Sequence, residues 1–220
     1  MIRDVERENK INLIQLWCSI VVAIATLCIV LFVPTFNSFF KILMVFVYAI
    51  LGVLPYILQK IFKVILPIYI TIPYYIFIVL STLLGTIFGL YDIVFFYDLV
   101  LHSISGILLA GLGLYVYTRL NGKQNFNIGI AIFIMVGMAI IGGVLWEIWE
   151  YITDDIFALN SQRHTAIDGT QYIGHDALKD TMNDLISDFV GSVIFALGFT
   201  IYYLKQQKNK PVRSVRKLRK

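Results

Sequence analysis

Four short stretches of this 220-residue chain carry side chains able to do chemistry. Asp98 and His102 stand four residues apart, which places both on one helix face. Glu147, Glu150 and Tyr151 stand at i, i+3 and i+4, with Gly143 one turn before them. Asp180, Asp184 and Asp188 recur every fourth residue, with Asn183 and Ser187 beside them. A loop between the last two groups, residues 155–179, adds His164, Asp168, His175 and Asp176; His164 and His175 are expected in an exposed, wet loop, from which His175 and Asp176 have the reach to meet the cluster from above. Carboxylates brought together repel one another, so some must hold protons or share a cation. Hard oxygen ligands with one imidazole suit a divalent ion such as Mg, Mn or Zn. The candidate metal ligands are His102, Glu147, Glu150, Asp180, Asp184 and Asp188. As catalytic groups, Glu147, Glu150, Asp180 and Asp184 would hold the cation or activate water, and Asp98 would orient His102 as acid or base. Capping alone explains Asp180, and the helix dipole favours Asp184. Asp188 lies too deep for either account, where a charge at the centre of a span costs about 2.5–3.5 kcal/mol.

The elements that must position these residues are membrane helices. Hydrophobic residues make up 59% of the chain and charged residues 15%, with a mean hydropathy of +0.80. A soluble core of this size cannot hide that much apolar surface. Runs of about 20 apolar residues cross the ~30 Å hydrocarbon layer as helices. The runs are too long and too unalternating for barrel strands. The sequence predicts an all-α polytopic protein, one domain of six spans at 11–33, 38–58, 64–90, 97–117, 127–151 and 181–204. Pro67 and Pro73 predict a kink or an interfacial turn at the start of the third span. The first run is too long for a signal-peptide core and is read as an uncleaved span. Its two cysteines, Cys18 and Cys28, are ten residues apart on one helix and serve as small apolar residues. Ser105, Gly106, Ala110 and Gly113 continue the face of Asp98 and His102, letting another helix approach closely. Trp146 and Trp149 fit an interfacial aromatic belt and place Glu147 and Glu150 near headgroup depth.

Lys and Arg set the orientation. Arg3, Arg7 and Lys10, then Lys60 and Lys63, then Arg119 and Lys123, and finally the basic tail at 205–220 all fall on one side of a six-span chain. That side is expected to be the cytoplasm, with both termini inside and the protein in the cell membrane. The tail is expected to meet anionic inner-leaflet lipid rather than nucleic acid. Asp4, Glu6 and Glu8 lie at the inner N-terminus. The remaining acids gather at or beyond the outer ends of spans three to six, opposed there by Arg163, Lys179 and Lys41.

With these motifs in view, the chain resembles the YjdF-type bacterial inner-membrane proteins, a family defined as a domain of unknown function. The resemblance rests on YDLVLHSISG at 97–106, WEIWEY at 146–151, GTQ at 169–171 and DTMNDLISDFVG at 180–191, in that order. More distantly the layout is similar to VanZ-like proteins, which are linked to glycopeptide resistance. Asp188 stands where their D-x3-N-x2-G element carries Asn. Neither resemblance implies a reaction.

Three functions compete at this level. The first is a membrane enzyme, metal-dependent, acting at the outer leaflet on a lipid head group or a lipid-linked envelope precursor. The patterns G-x-S-x-G, H-E-x-x-H and the P-loop are absent from the sequence. The second is a non-catalytic envelope stress or resistance protein whose polar cluster locks helices together. The third is an ion-coupled transporter, disfavoured because the acids gather at one end instead of forming a relay.

Overall fold

Backbone groups in lipid find no water to bond, so apolar runs satisfy them internally as helices. The computed structural model describes residues 2–121, 126–166 and 168–209. The helices run in the order α1 (Ile2–Phe32), α2 (Phe39–Phe62), α3 (Ile68–Ile78), α4 (Leu90–Ile93), α5 (Tyr97–Asn121), α6 (Ile128–Phe157) and α7 (Lys179–Lys208). A π-helical segment, Val79–Ile87, continues α3. Six helical segments are long and apolar enough to cross a membrane, the third being α3 with its π extension. No strand occurs among the described residues; the loop after α6 holds one isolated antiparallel bridge, Thr165 to Gln171. Residues 210–220 of the basic tail, and Lys123, lie outside the described residues.

The six expected spans all appear, and the differences are at their ends. The third begins after an irregular turn, with Pro67 as the residue before the helix and Pro73 inside it. Helix α6 runs past the expected end at 151 to Phe157, adding a turn that carries Thr153 and Asp154. Both α6 and α7 contain 30 residues. At 1.5 Å per residue that is about 45 Å, longer than the ~30 Å apolar layer, so their ends stand in the headgroup zone or beyond.

The helices pack as two groups. In one, Ala23, Val30, Val45, Tyr48, Ile78, Leu83 and Ile87 join α1, α2 and the α3–π span. At one end of this group Asn12 donates to Gln59 and to the Leu66 carbonyl, and accepts from Thr71. In the other group, Ala110, Tyr117, Ala131, Met135 and Ala196 join α5, α6 and α7. Here backbones nearly touch. A Cβ on Gly106 would run into the Asp188 backbone carbonyl, and one on Gly191 into that of Ser103. Glycine at both positions lets α5 and α7 cross at backbone contact. That crossing sits beside the acidic residues.

Candidate functional site

Helix α5 begins YDLVLHSIS, and its inward face presents Asp98, His102 and Ser105. Helix α7 presents Asp180, Asp184 and Asp188 from its first three turns. Because Gly106 and Gly191 bring the two axes together, the rows interleave instead of standing apart. His102 is 7% exposed, and Asp184 and Asp188 are 1% exposed. The imidazole has a hydrogen-bonded carboxylate at one nitrogen and two more distant carboxylates facing the other. Its Nδ1 lies 3.1 Å from Asp188 Oδ2. Its Nε2 lies 3.7 Å from Asp98 Oδ1 and 3.9 Å from Asp184 Oδ2. The Ser105 hydroxyl donates to the other Asp188 oxygen and lies 2.8 Å from the His102 carbonyl. Asp188 is therefore fully engaged behind the imidazole, which accounts for a carboxylate so deep in the span.

The third wall comes from the loop after α6. Asp154 accepts from the backbone N–H groups of Ser161 and Gln162, at 2.8 and 3.0 Å. This capping folds the chain back over the bundle. Arg163 then takes a left-handed backbone, φ 45°. Its Nη2 stands 3.3 Å from Asp98 Oδ2 and its Nε 3.9 Å from Asp180 Oδ1. Gln162 Nε2 lies within hydrogen-bond distance of the Glu147 carbonyl, Glu147 Oε2 and Thr181 Oγ1. The loop then returns as a tight hairpin. Ala166 N–H donates to the Thr170 carbonyl, and Gly169 has a positive φ of 84° that disfavours any side chain. The Asp168 carboxylate accepts from Thr170 N–H, which holds it below the usual carboxylate range. The GTQ stretch is thus the turn of this hairpin.

Tyr91 completes the surroundings from the α4 turn. Its ring covers Gly85 of the π-helical segment and packs edge-on against Tyr97 at 5.4 Å. Burial pushes its phenol well above the ordinary range, Asp98 and Glu150 push the same way, and Arg163 opposes them. These four side chains therefore share one electrostatic environment.

The structure sorts the expected ligands into distinct places. Among the described residues, the group whose donor atoms all lie within 4.8 Å of one another is Asp98, His102 and Asp184. Asp98 joins this set, although the spacing suggested only an orienting role for it. Asp188 is bound to the imidazole from behind. Asp180 sits at the rim with Arg163. Glu147 is 5% exposed and paired with Gln162. Glu150 accepts from Trp146 Nε1 at 3.0 Å, and Tyr151 turns outward. His175 and Asp176 are exposed, and the loop reaches the cluster through Gln162 and Arg163 instead. Three polar oxygens around this site are buried without a hydrogen-bond partner: Glu147 Oε1, Asp180 Oδ2 and Asp184 Oδ1.

The combination of six membrane-spanning segments and a polar cluster at one end defines a polytopic membrane protein. The family described as "Predicted membrane protein (DUF2238)" matches residues 15–205, and the chain belongs to it. An uncharacterized protein of Thermotoga maritima is 29% identical over 119 residues, covering 53% of this chain. The match takes in 54% of that relative, so the chain spans about half of its length. No solved structure matches.

Proposed function

We propose that the protein is a membrane enzyme that holds a divalent cation on Asp98, His102 and Asp184 and acts on a lipid or lipid-linked substrate. The observation that carries this reading is the state of His102. One ring nitrogen is fixed on Asp188, and the other is presented to two carboxylates. A carboxylate behind an imidazole fixes its tautomer and orientation, as it does for metal-ligating histidines generally. Ligands held ~2.0–2.2 Å from one ion lie about 3–3.5 Å apart, so the 3.7 and 3.9 Å separations require only a small contraction. The unpartnered Oδ1 of Asp184 supports the same reading, because a buried polar oxygen without a partner is costly. A divalent ion in this place would polarise a headgroup oxygen. Asp98, His102 and Asp184 would hold it, Asp188 would orient the imidazole, and the Arg163 strap would limit water access from the loop side.

Metal content and metal titration of the detergent-purified protein test this. The expected result is one divalent ion per chain, lost in Asp184→Asn. Asp188→Asn is expected to weaken binding about 10–100-fold through the imidazole it no longer orients. Glu147→Gln is expected to retain the ion, because Glu147 lies outside the triangle. A folded wild type that binds no divalent ion sinks the reading. One specific observation would then favour the helix-lock function: Arg163 already bridges Asp98 and Asp180, supplying positive charge from within the chain.

A further inference from the structure

Asp184 Oδ1, Glu147 Oε1 and Asp180 Oδ2 are buried beside the triangle without a hydrogen-bond partner. Each such oxygen costs free energy, and each is an acceptor only when ionised. The register of α6 and α7 places two of them level with one another. A Cβ on Gly143 of α6 would run into the Asp188 carboxylate of α7. The two helices are successive membrane crossings, so they run in opposite directions. One turn onward along α6 from Gly143 is Glu147, and one turn back along α7 from Asp188 is Asp184. Glu147 therefore faces Asp184 across the α6–α7 contact. Gln162 spans the same level, with its Nε2 3.1 Å from Glu147 Oε2 and 3.0 Å from the hydroxyl of Thr181, one turn before Asp184. Both carboxylates are more than nine-tenths buried, Asp184 at 1% exposure and Glu147 at 5%.

The two oxygens of Asp184 have different surroundings. Oδ2 lies 3.9 Å from His102 Nε2, on the triangle side, while Oδ1 is the unpartnered one. We infer that Asp184 is a bridging carboxylate between two divalent ions, the one on Asp98, His102 and Asp184 and a second on Asp184 Oδ1 and Glu147 Oε1. The inference rests on the cation site proposed above and adds a second position to it. This position offers oxygen alone, which suits Mg or Mn. Mg-type ions are held by one or two carboxylates and keep several waters, so two protein ligands are enough. A groove of about 830 Å³, lined by Glu147, Thr181 and Leu185 and by no Lys or Arg among the described residues, reaches this level from the side as an entry path for a hydrated cation. The second position is the weaker one. Among the described residues only Asp98, His102 and Asp184 offer three donor atoms within 4.8 Å of one another, and Gln162 holds the other Glu147 oxygen. Charge favours two ions over one. Asp98, Glu147, Asp180, Asp184 and Asp188 are gathered here against Arg163 and His102. One divalent ion still leaves the carboxylates in excess, and like charges held this close repel.

Titration of the chelator-stripped, detergent-purified chain with Mn2+, followed by electron paramagnetic resonance, tests the bridge. The first ion is expected to give the hyperfine pattern of an isolated Mn2+. A second ion, bound about tenfold more weakly or less tightly still, is expected to replace that pattern with a broad exchange-coupled signal, because ions sharing a carboxylate stand only ~3.5–4 Å apart. Glu147→Gln is expected to bind the first ion as the wild type does, which also reports that the variant is folded, and to keep the isolated pattern at every Mn2+ concentration. Asp184→Asn is expected to lose the coupling and the first ion together. Saturation at one ion, or a second ion bound without coupling, overturns the bridge and leaves the triangle standing. A coupled signal that persists in Glu147→Gln overturns the assignment of Glu147. A folded wild type that binds no Mn2+ removes the triangle and the bridge alike.

Discussion

His102 sits where opposite demands meet. An imidazole this deep in a bundle loses hydration, and it recovers that loss only through partners at both nitrogens. Asp188 supplies one partner and the Asp98–Asp184 pair the other. Arg163 adds a second positive group at the rim, where it is more than one third exposed. A partly exposed ion pair of this kind is worth about 0.2–1 kcal/mol. If a divalent ion binds the triangle, Arg163 and the ion repel each other across Asp98. Arg163→Ala should therefore strengthen divalent binding by roughly two- to fivefold while lowering the thermal stability of the ion-free protein. Titration calorimetry reads the first effect, and weaker binding in Arg163→Ala would contradict the shared use of Asp98. Sequence spacing brought Asp98, His102 and the aspartate row to one depth, because periods of four on helices fix direction as well as position. Spacing did not separate ligands from supports. That division depends on which carboxylate of α7 falls behind the imidazole and which beside it, a matter of helix crossing. Arg163 stood out in the sequence only as a base among acids. Its role is created by the Asp154-capped loop and a left-handed backbone, neither of which has a periodic signal.

Helix α5 is the element on which the site depends, since it packs against both α6 and α7. Its N-terminus is fixed by Tyr97, whose hydroxyl donates to the Leu80 carbonyl in the π-helical segment. The π turns also bring Gly85 beneath the Tyr91 ring. This links the irregular third span to the orientation of Asp98, one residue after Tyr97. Farther along α5, the contact with α7 requires glycine. Gly106→Ala and Gly191→Ala should each cost about 1–3 kcal/mol by forcing the backbones apart. For a protein of this size that is a fall in melting temperature of about 2–4 °C per kcal/mol. Gly198→Ala, in the same helix as Gly191 with nothing within 4 Å of its added methyl, should be neutral or slightly stabilising. Thermal unfolding in one detergent compares the three, and equal behaviour would remove the close crossing. The glycines and the spans were legible in the sequence because small residues and apolar length are compositional signals. The π-helical segment was not, because an i→i+5 ladder leaves no distinctive residue pattern in VLSTLLGTI.

At the scale of the whole molecule, the question is which side of the membrane holds the site. Six crossings return the chain to its starting face, so the beginning of α1 and the end of α7 share one side and the cluster takes the other. Arg7, Lys10, Lys60, Lys63, Arg119, Lys205 and Lys208 stand on the side of the helix termini. Lys41, Arg163 and Lys179 stand on the side of the cluster, where Lys41 lies over the Phe36 ring and Arg163 is bound to Asp98. Basic residues near short loops are retained in the cytoplasm. The positive face should therefore be cytoplasmic and the cluster should open outward, within reach of outer-leaflet lipid. Ile173 is 86% exposed on the loop above the cluster, and Gln207 is exposed near the far end of α7. In a chain carrying Cys18→Ala and Cys28→Ala, Ile173→Cys should react with a membrane-impermeant maleimide on intact cells, and Gln207→Cys should react only after permeabilisation. The reverse pattern would place the cluster at the inner leaflet. Any lipid reaching the cluster would then come from the cytoplasmic leaflet, while the contacts within the cluster would be unchanged.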